Sequence, residues 1–255
     1  MTIREALKAA AARLEAAGVP NGDYDAAQML AHVLGEDALM MRLNNHRMLS
    51  DPHAAQYEQL IARREKREPM QYILGETGFM GLTFHVEPGV LCPRPDTEIL
   101  CEEALRRIEP GMRVLDIGTG SGALAVSIAK LAPGAQVTAV DISDAALAVA
   151  KGNAERNGVQ VRFVQSDCFA ALDGEVFDVI VSNPPYISGE EMKTLMPEVC
   201  MEPELALYGG EDGLDFYRRI SREAGAYLHA GGYLLFEIGW KQKDAVSALV
   251  REAIG

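Results

Sequence analysis

Hydrophobic positions in the first third of the chain recur at helical spacing. Ile3, Leu7, Ala10 and Leu14 form one stripe, and Ala27, Leu30, Ala31 and Leu34 form a second. Asp51-Pro52 reads as an N-cap followed by proline at the first helical position, opening a helix to about Arg67 with Tyr57, Leu60 and Ile61 on one face. Its end carries Arg63, Arg64, Lys66 and Arg67, which either complement the helix dipole or form a docking patch for a partner. Between about 70 and 92, glycines at 75, 78, 81 and 89 punctuate short β-prone runs, the pattern of a hairpin-like connector. From Pro93 onward the pattern alternates. It predicts strands at 113–118, 136–142, 161–167, 176–183 and 232–238, with helices at about 97–108, 122–132, 144–157, 213–229 and 241–253. Such alternation implies an α/β domain, a parallel sheet with helices on both faces, behind a small all-α N-terminal domain.

Composition narrows the setting. Apolar residues make up 48 % of the 255 and charged residues 24 %, ordinary for a globular chain. Glu5 and Glu15 interrupt the apolar N-terminus, so it reads as an amphipathic helix rather than a signal peptide, and no run approaches the roughly 18 apolar residues of a membrane span. Cys92, Cys101, Cys168 and Cys200 are scattered and no histidine stands at ligand spacing, which argues for reduced thiols, a cytoplasmic location and no metal site. The net charge of −13 is uneven: residues 1–75 hold nine Lys/Arg against ten Asp/Glu, and the remainder fifteen against twenty-seven. An acidic surface without a basic stripe disfavours direct nucleic-acid binding and suits a basic protein partner.

Three strand ends carry candidate chemistry. Arg113 to Ile117 runs into a glycine turn, Gly118-Thr119-Gly120-Ser121-Gly122, and then a helix. The glycines let the backbone approach a ligand closely. About twenty residues on, a strand ends at Asp141, where a carboxylate can accept from both hydroxyls of a ribose. Gly118-x-Gly120-x-x-Ala123 also fits a dinucleotide fingerprint. Asp116 tips the balance, because a carboxylate is unwelcome beside a pyrophosphate and welcome beside an ammonium and a sulfonium. A third strand ends at Asp167-Cys168-Phe169: Asp167 could accept from an adenine amino group or simply cap a helix, and Cys168 or Phe169 could line the ring.

The fourth strand ends in Asn183-Pro184-Pro185-Tyr186. Two prolines remove two backbone donors and hold their predecessors extended, so this is a stiff lip at the carboxyl edge of the sheet, where open α/β folds bind ligands. It offers the Asn183 side-chain oxygen and backbone carbonyls as acceptors, with Tyr186 as a flat wall. Acceptors fixed in a plane suit an NH₂ group on a planar system, whose hydrogens become positive as its nitrogen attacks a methyl donor.

Further segments complete the pattern: Pro69-Met-Gln-Tyr-Ile-Leu-Gly75, Phe79-Met-Gly-Leu-x-Phe84, Val90-Leu-Cys-Pro-Arg-Pro-Asp-Thr-Glu98 and Glu202-Pro-Glu-Leu-Ala-Leu-Tyr-Gly-Gly-Glu-Asp-Gly-Leu214. With the glycine turn and Asn183-Pro-Pro-Tyr-Ile187, they make the chain resemble the HemK family of peptide-chain release factor glutamine N5-methyltransferases over almost its whole length. The resemblance implies a helical N-terminal domain at 1–75 that docks the partner, a hairpin linker at 76–92, and a Rossmann-like class I methyltransferase domain at 93–255. It implies S-adenosyl-L-methionine as methyl donor, S-adenosyl-L-homocysteine as product, and the Gly-Gly-Gln glutamine of class I release factors as acceptor, aiding translation termination. By resemblance Gly118 to Gly122, Asp141, Cys168 and Asn183 contact the cofactor, with Asp167 as a further candidate, and Asn183 to Tyr186 receive the glutamine. A monomer is favoured, and neither a membrane nor direct nucleic acid is an expected partner. Position 168 is often aromatic in the family. Family members also continue into two further strands, so the last strand here is expected to be a sheet edge.

Amino-methylation of adenine or guanine is the alternative, since the Asn-Pro-Pro-Tyr lip serves that chemistry as well. Against it, residues 190–215 hold eight carboxylates and the single cation Lys193.

Overall fold

The computed structural model describes residues 1–254, which fall into two compact units. The first comprises residues 1–75 together with 196–201. It holds α1 (Ile3–Ala16), α2 (Gly22–Leu34), α3 (Ala38–Leu43), α4 (Asp51–Arg64) and α5 (Met70–Leu74). A capping box starts α1: Thr2 Oγ1 accepts from Glu5 N while the Glu5 carboxylate accepts from Thr2 N. Ile3, Leu14, Met29, Leu30, Tyr57 and Ile61 are buried in one core, as their helical spacing predicts.

Three readings need correction here. The cap of α4 is Ser50, whose hydroxyl accepts from His53 N, and Asp51 is already helical. Residues 70–74, read as β-prone, form a single helical turn closed by Gly75 at φ +74°. The arginines ending α4 are neither a free docking patch nor simple dipole partners. Arg64 is buried, donating to Asp25 Oδ2 at 2.8 Å and pairing with Glu198 at 2.9 Å. Arg67 makes two 2.6 Å bonds to Glu198, Arg63 binds Glu68, and of the four cations Lys66 alone is exposed.

The second unit comprises 76–195 and 202 onward. An antiparallel hairpin, β1 (Glu76–Phe79) and β2 (Leu82–His85), precedes α6 (Pro95–Leu105). The hairpin between the helical region and the parallel sheet clusters with the second unit, and His85 N donates to Asn153 Oδ1 at 2.7 Å. Then come β3 (Arg113–Ile117), α7 (Ala123–Leu131), β4 (Gln136–Asp141), α8 (Asp144–Asn157), β5 (Arg162–Gln165), β6 (Phe177–Ser182) and the short α9 (Gly189–Met192). The chain continues through α10 (Asp215–Ala224), β7 (Leu228–Phe236) and α11 (Lys243–Ile254). The sheet is wholly parallel in the order β5-β4-β3-β6-β7, as the alternation predicts. Along β3, Val114 faces a core with Phe84 and Val126, while Leu115 faces another with Phe169 and Ile180.

β7 begins at Leu228, four residues before the predicted start, and it is an edge strand among the described residues. Phe177 pairs with Leu228 but Val179 pairs with Tyr233, so residues 229–232 bulge out between the two rungs. Gly231-Gly232 disguised that interruption as a loop. No helix of the described residues is long and apolar enough to cross a membrane.

Removing Arg64 leaves Asp25, a carboxyl whose pKa burial already pushes up, without its 2.8 Å partner. Arg64→Ala is therefore expected to cost roughly 3–5 kcal/mol. Urea denaturation checks this, and a change under about 1 kcal/mol contradicts a buried ion cluster that holds the helical unit together.

Candidate active site

The parallel register brings the ends of four strands to one edge. Ile117 stands opposite Val140 and Ser182, and Asp141 opposite Gln165, so the residues that follow β3, β4, β5 and β6 converge. They surround a cavity of about 430 Å³, within the usual range of small-molecule sites. Gly118, Gly120, Asp141, Asp167, Cys168 and Asn183 line it together with Pro184 and Pro185. Of the remaining sequence candidates, Thr119, Ser121, Gly122 and Tyr186 stand behind the wall. Gly122 is needed for packing, since a Cβ there would lie 3.0 Å from Ala150 Cβ.

Asp141 is fixed before any ligand arrives: Oδ2 accepts from Gly120 N and Oδ1 from Ser143 N, both at 2.9 Å. Its remaining lone pairs can take two donors from a diol. Asp116 lies beneath the glycine turn, 1 % exposed, with Oδ2 accepting from Thr119 Oγ1 at 2.6 Å and Oδ1 buried without a partner. Burial pushes its pKa up to about 7 despite the Thr119 hydrogen bond. An orphaned buried carboxylate oxygen fits a cationic group bound nearby, directly or through water.

Asp167 lies at the opposite wall, but its carboxylate is not idle. Arg219 of α10 donates to Asp167 Oδ1 at 2.6 Å and to its carbonyl at 3.0 Å, leaving one carboxylate oxygen for a ligand. Cys168 adopts φ +52°, which turns its side chain to the cavity. Phe169, the other candidate for lining the ring, is not at the cavity. Its own ring is buried in the core and stacked on Tyr227 at 4.4 Å.

The lip after β6 is held from beneath. Asn183 Nδ2 donates to Thr97 Oγ1 at 3.2 Å, and Gln242 Nε2 donates to the Tyr186 and Gly213 carbonyls at 3.0 and 3.1 Å. The Gly-Gly-x-x-Gly segment packs directly below: a Cβ on Gly213 would sit 2.3 Å from the Tyr186 carbonyl oxygen. Tyr186 is not the flat wall expected; its hydroxyl lies beside Glu237 and its ring abuts Gly239. Buried Glu202 accepts from Cys92 N and pairs with Arg94, joining the wall at 203–206 to the one at 89–91. Thr97, Glu202 and Leu205 stood in the sequence only as motif letters, and Glu237, Gln242, Phe216 and Arg219 carried no signal there.

This sheet order, with a glycine turn after its first strand and an Asn-Pro-Pro-Tyr lip after its fourth, defines a class I methyltransferase domain. Comparisons agree. The Methyltransferase small domain model matches residues 81–205, and the PrmC N-terminal domain model matches 5–75. A methyltransferase structure from Pyrococcus furiosus is 25 % identical with a TM-score of 0.53, covering 68 % of this chain and 78 % of that one. A T. thermophilus 16S rRNA methyltransferase in complex with AdoMet and guanosine is 26 % identical with a TM-score of 0.51, covering 70 % and 44 %. Full-length relatives are nearer. The release factor glutamine methyltransferase of Geobacter sulfurreducens is 46 % identical, covering 96 % of this chain and 87 % of its own. That of Cereibacter sphaeroides is 46 % identical, covering 99 % and 91 %. The chain belongs to the release factor glutamine methyltransferase family.

Asp116 generates a paired prediction. Between its ordinary pKa of 3.8 and about 7 the folded protein keeps a proton that the unfolded chain releases, so stability falls as pH rises through that window. Asp116→Asn removes this loss. The ligand-free variant should melt above the parent at pH 8 and level with it near pH 3, while binding S-adenosylmethionine ~10-fold more weakly. Scanning calorimetry and titration calorimetry read the two effects, and a variant less stable than the parent at pH 8 contradicts the assignment.

Proposed function

We propose that the protein transfers the methyl group of S-adenosylmethionine to the side-chain amide nitrogen of a glutamine in a peptide-chain release factor, the glutamine of its Gly-Gly-Gln motif. The observation that carries this reading is the orientation of Asn183. With its NH₂ turned inward to Thr97, its Oδ1 is left as an acceptor at the cavity.

The residues fit the donor. Asp141 offers prearranged acceptors for the ribose, and Gly118 and Gly120 permit close backbone approach. Asp116 supplies negative charge for the methionine ammonium, and Asp167 and Cys168 flank the adenine. Bound there, the sulfonium supplies an electrophilic methyl group. An amide nitrogen attacks poorly because its lone pair is delocalised, and its N–H groups gain positive charge as it does so. Asn183 Oδ1 and the Pro184 carbonyl accept from those N–H groups, stabilising the charge without reorganisation. Pro184 and Pro185 hold the acceptors rigid, so the nitrogen is aimed rather than activated. The proton becomes acidic during transfer and leaves to solvent.

We assign partner docking to the helical unit. Leu39 and Leu43 of α3 are 65 % and 67 % exposed, an apolar display with no use in its own core. A glutamate at either position should raise KM for intact release factor several-fold and leave a short glutamine peptide unaffected. Equal effects on both substrates would assign α3 a purely structural role.

Incubation with radiolabelled S-adenosylmethionine and purified release factor, followed by peptide mapping, should find label on one glutamine. Asn183→Ala should lower kcat roughly 10²–10³-fold with cofactor affinity little changed. Asp141→Ala should instead weaken cofactor binding about 10- to 100-fold. Label entering oligonucleotides but not release factor would favour the nucleic-acid reading, and a fully active Asn183→Ala would sink the mechanism.

A further inference from the structure

Glu237 follows β7 and takes no part in the chemistry described so far. Its backbone is pinned on both sides: Glu237 N donates to Ser182 O at 3.1 Å, and Tyr217 Oη donates to Glu237 O at 2.9 Å. The first of these bonds extends the β6–β7 ladder to the residue before Asn183, which fixes where the carboxylate lies. That carboxylate faces the underside of the lip. Thr97, Asn183 and the Tyr186 hydroxyl are its polar neighbours, and Oε2 is buried without a partner. Burial raises the Glu237 pKa, and the bonds from Thr97 and Asn183 oppose that rise.

We propose that Glu237 is a positioning residue for methyl transfer, which, together with Thr97, holds the Asn183 amide with its NH₂ inward and its Oδ1 toward the cavity. The argument is one of donor and acceptor inventory. An amide can turn over by 180° at little steric cost, and the two orientations present opposite chemistry to a substrate. A carboxylate has only acceptors, so it admits the Asn183 NH₂ and repels its oxygen. The Thr97 hydroxyl already receives the Asn183 donor at 3.2 Å, so its single hydrogen is free to be directed at Glu237, and in the proposed arrangement its lone pairs then serve only the Asn183 NH₂. Reversing Asn183 would bring its oxygen against a carboxylate and its NH₂ into the place where the substrate NH₂ needs an acceptor. The charge of Glu237 thus sets the polarity of the lip without touching the substrate. The Tyr186 hydroxyl lies beside the same carboxylate, so the far end of the lip borders the same anchor.

This inference rests on the role given to Asn183 above, so the experiment separates the two. Initial rates and cofactor binding would be measured for Glu237→Ala, Glu237→Gln, Asn183→Ala and Glu237→Ala combined with Asn183→Ala. Glu237→Ala should lower kcat about 10-fold or more, with KM for release factor and Kd for S-adenosylmethionine each within about twofold of the parent. In the Asn183→Ala background the same change should cost nothing further, because the group it positions is gone. Glu237→Gln keeps the side-chain size but adds a donor that can face either end of Asn183, and should lose kcat by a smaller factor. If Glu237→Ala does not fold, the glutamine variant decides alone. Parent-like kcat in a folded Glu237 variant, or losses that multiply in the double variant, would overturn the proposal while Asn183→Ala remains impaired. Full activity of Asn183→Ala would remove both readings together.

Discussion

Two consecutive prolines after Asn183 leave the active-site lip without the N–H donors by which a strand end is normally held, and much of the site is organised around that deficit. Pro184 and Pro185 make the lip stiff but cannot anchor it to the sheet. The anchors therefore come from elsewhere in the chain: Thr97 at the start of α6, Gln242 ahead of α11, and Glu237 after β7. Backbone supplies the rest. Ile187 N donates to Leu207 O and Gly209 N to Ile187 O, both at 2.9 Å, so the lip regains backbone partners in an isolated bridge to Tyr208 two residues after the prolines. The close approach at Gly213 leaves no room for a side chain under Tyr186. Rigidity in φ and fixation from below are separate requirements, and the motifs flanking the lip supply the second.

That division explains which parts of the site could be read in the sequence. Gly118 to Gly122, Asp141 and Asn183 sit directly after buried apolar strands, so strand periodicity announces them and the parallel register brings them together. Glu237, Gln242 and Arg219 lie far along the chain and meet the lip or the cavity only through folding. Nothing in their local pattern sets them apart from surface carboxylates and amides. Thr97 and Glu202 were visible as letters of a motif, but their roles depend on partners 86 and 108 residues away. Phe169 misled for a related reason. Side chains after a strand end do not keep alternating, and the positive φ at Cys168 turns the next ring into the core.

Elements below the length of one periodic window were the least legible. α5 and α9 span five and four residues, too few for a stripe to repeat, and glycines beside α5 favoured a strand reading. The arginines at the end of α4 show a different limit. Spacing put four cations together but could not reveal that Glu198, more than 130 residues on, joins the helical unit and neutralises Arg64 and Arg67. A run of like charge looks like a surface feature whenever its counter-charge is distant in sequence. Burial, not composition, decides whether it is one.

The placement of charge follows the demands of methyl transfer to a neutral nitrogen. Carboxylates near the reacting atoms would stabilise a cationic donor before reaction as much as during it, and such uniform stabilisation lowers no barrier. In this site the charged groups on the cavity wall, Asp141, Asp167 and Arg219, are each engaged within the protein, Arg219 by Asp167 itself. Asp116 is sealed beneath the glycine turn, and Glu237 lies behind the lip. In the proposed reading, what faces the incoming amide is neutral: the Asn183 oxygen and the carbonyls of a proline pair. Dipoles that are already aligned act most where charge is gained, on the N–H groups of the attacking nitrogen. On that reading the fixed negative charge is kept for binding and for orienting Asn183, while the transition state is met by groups that hold the unreacted donor less strongly.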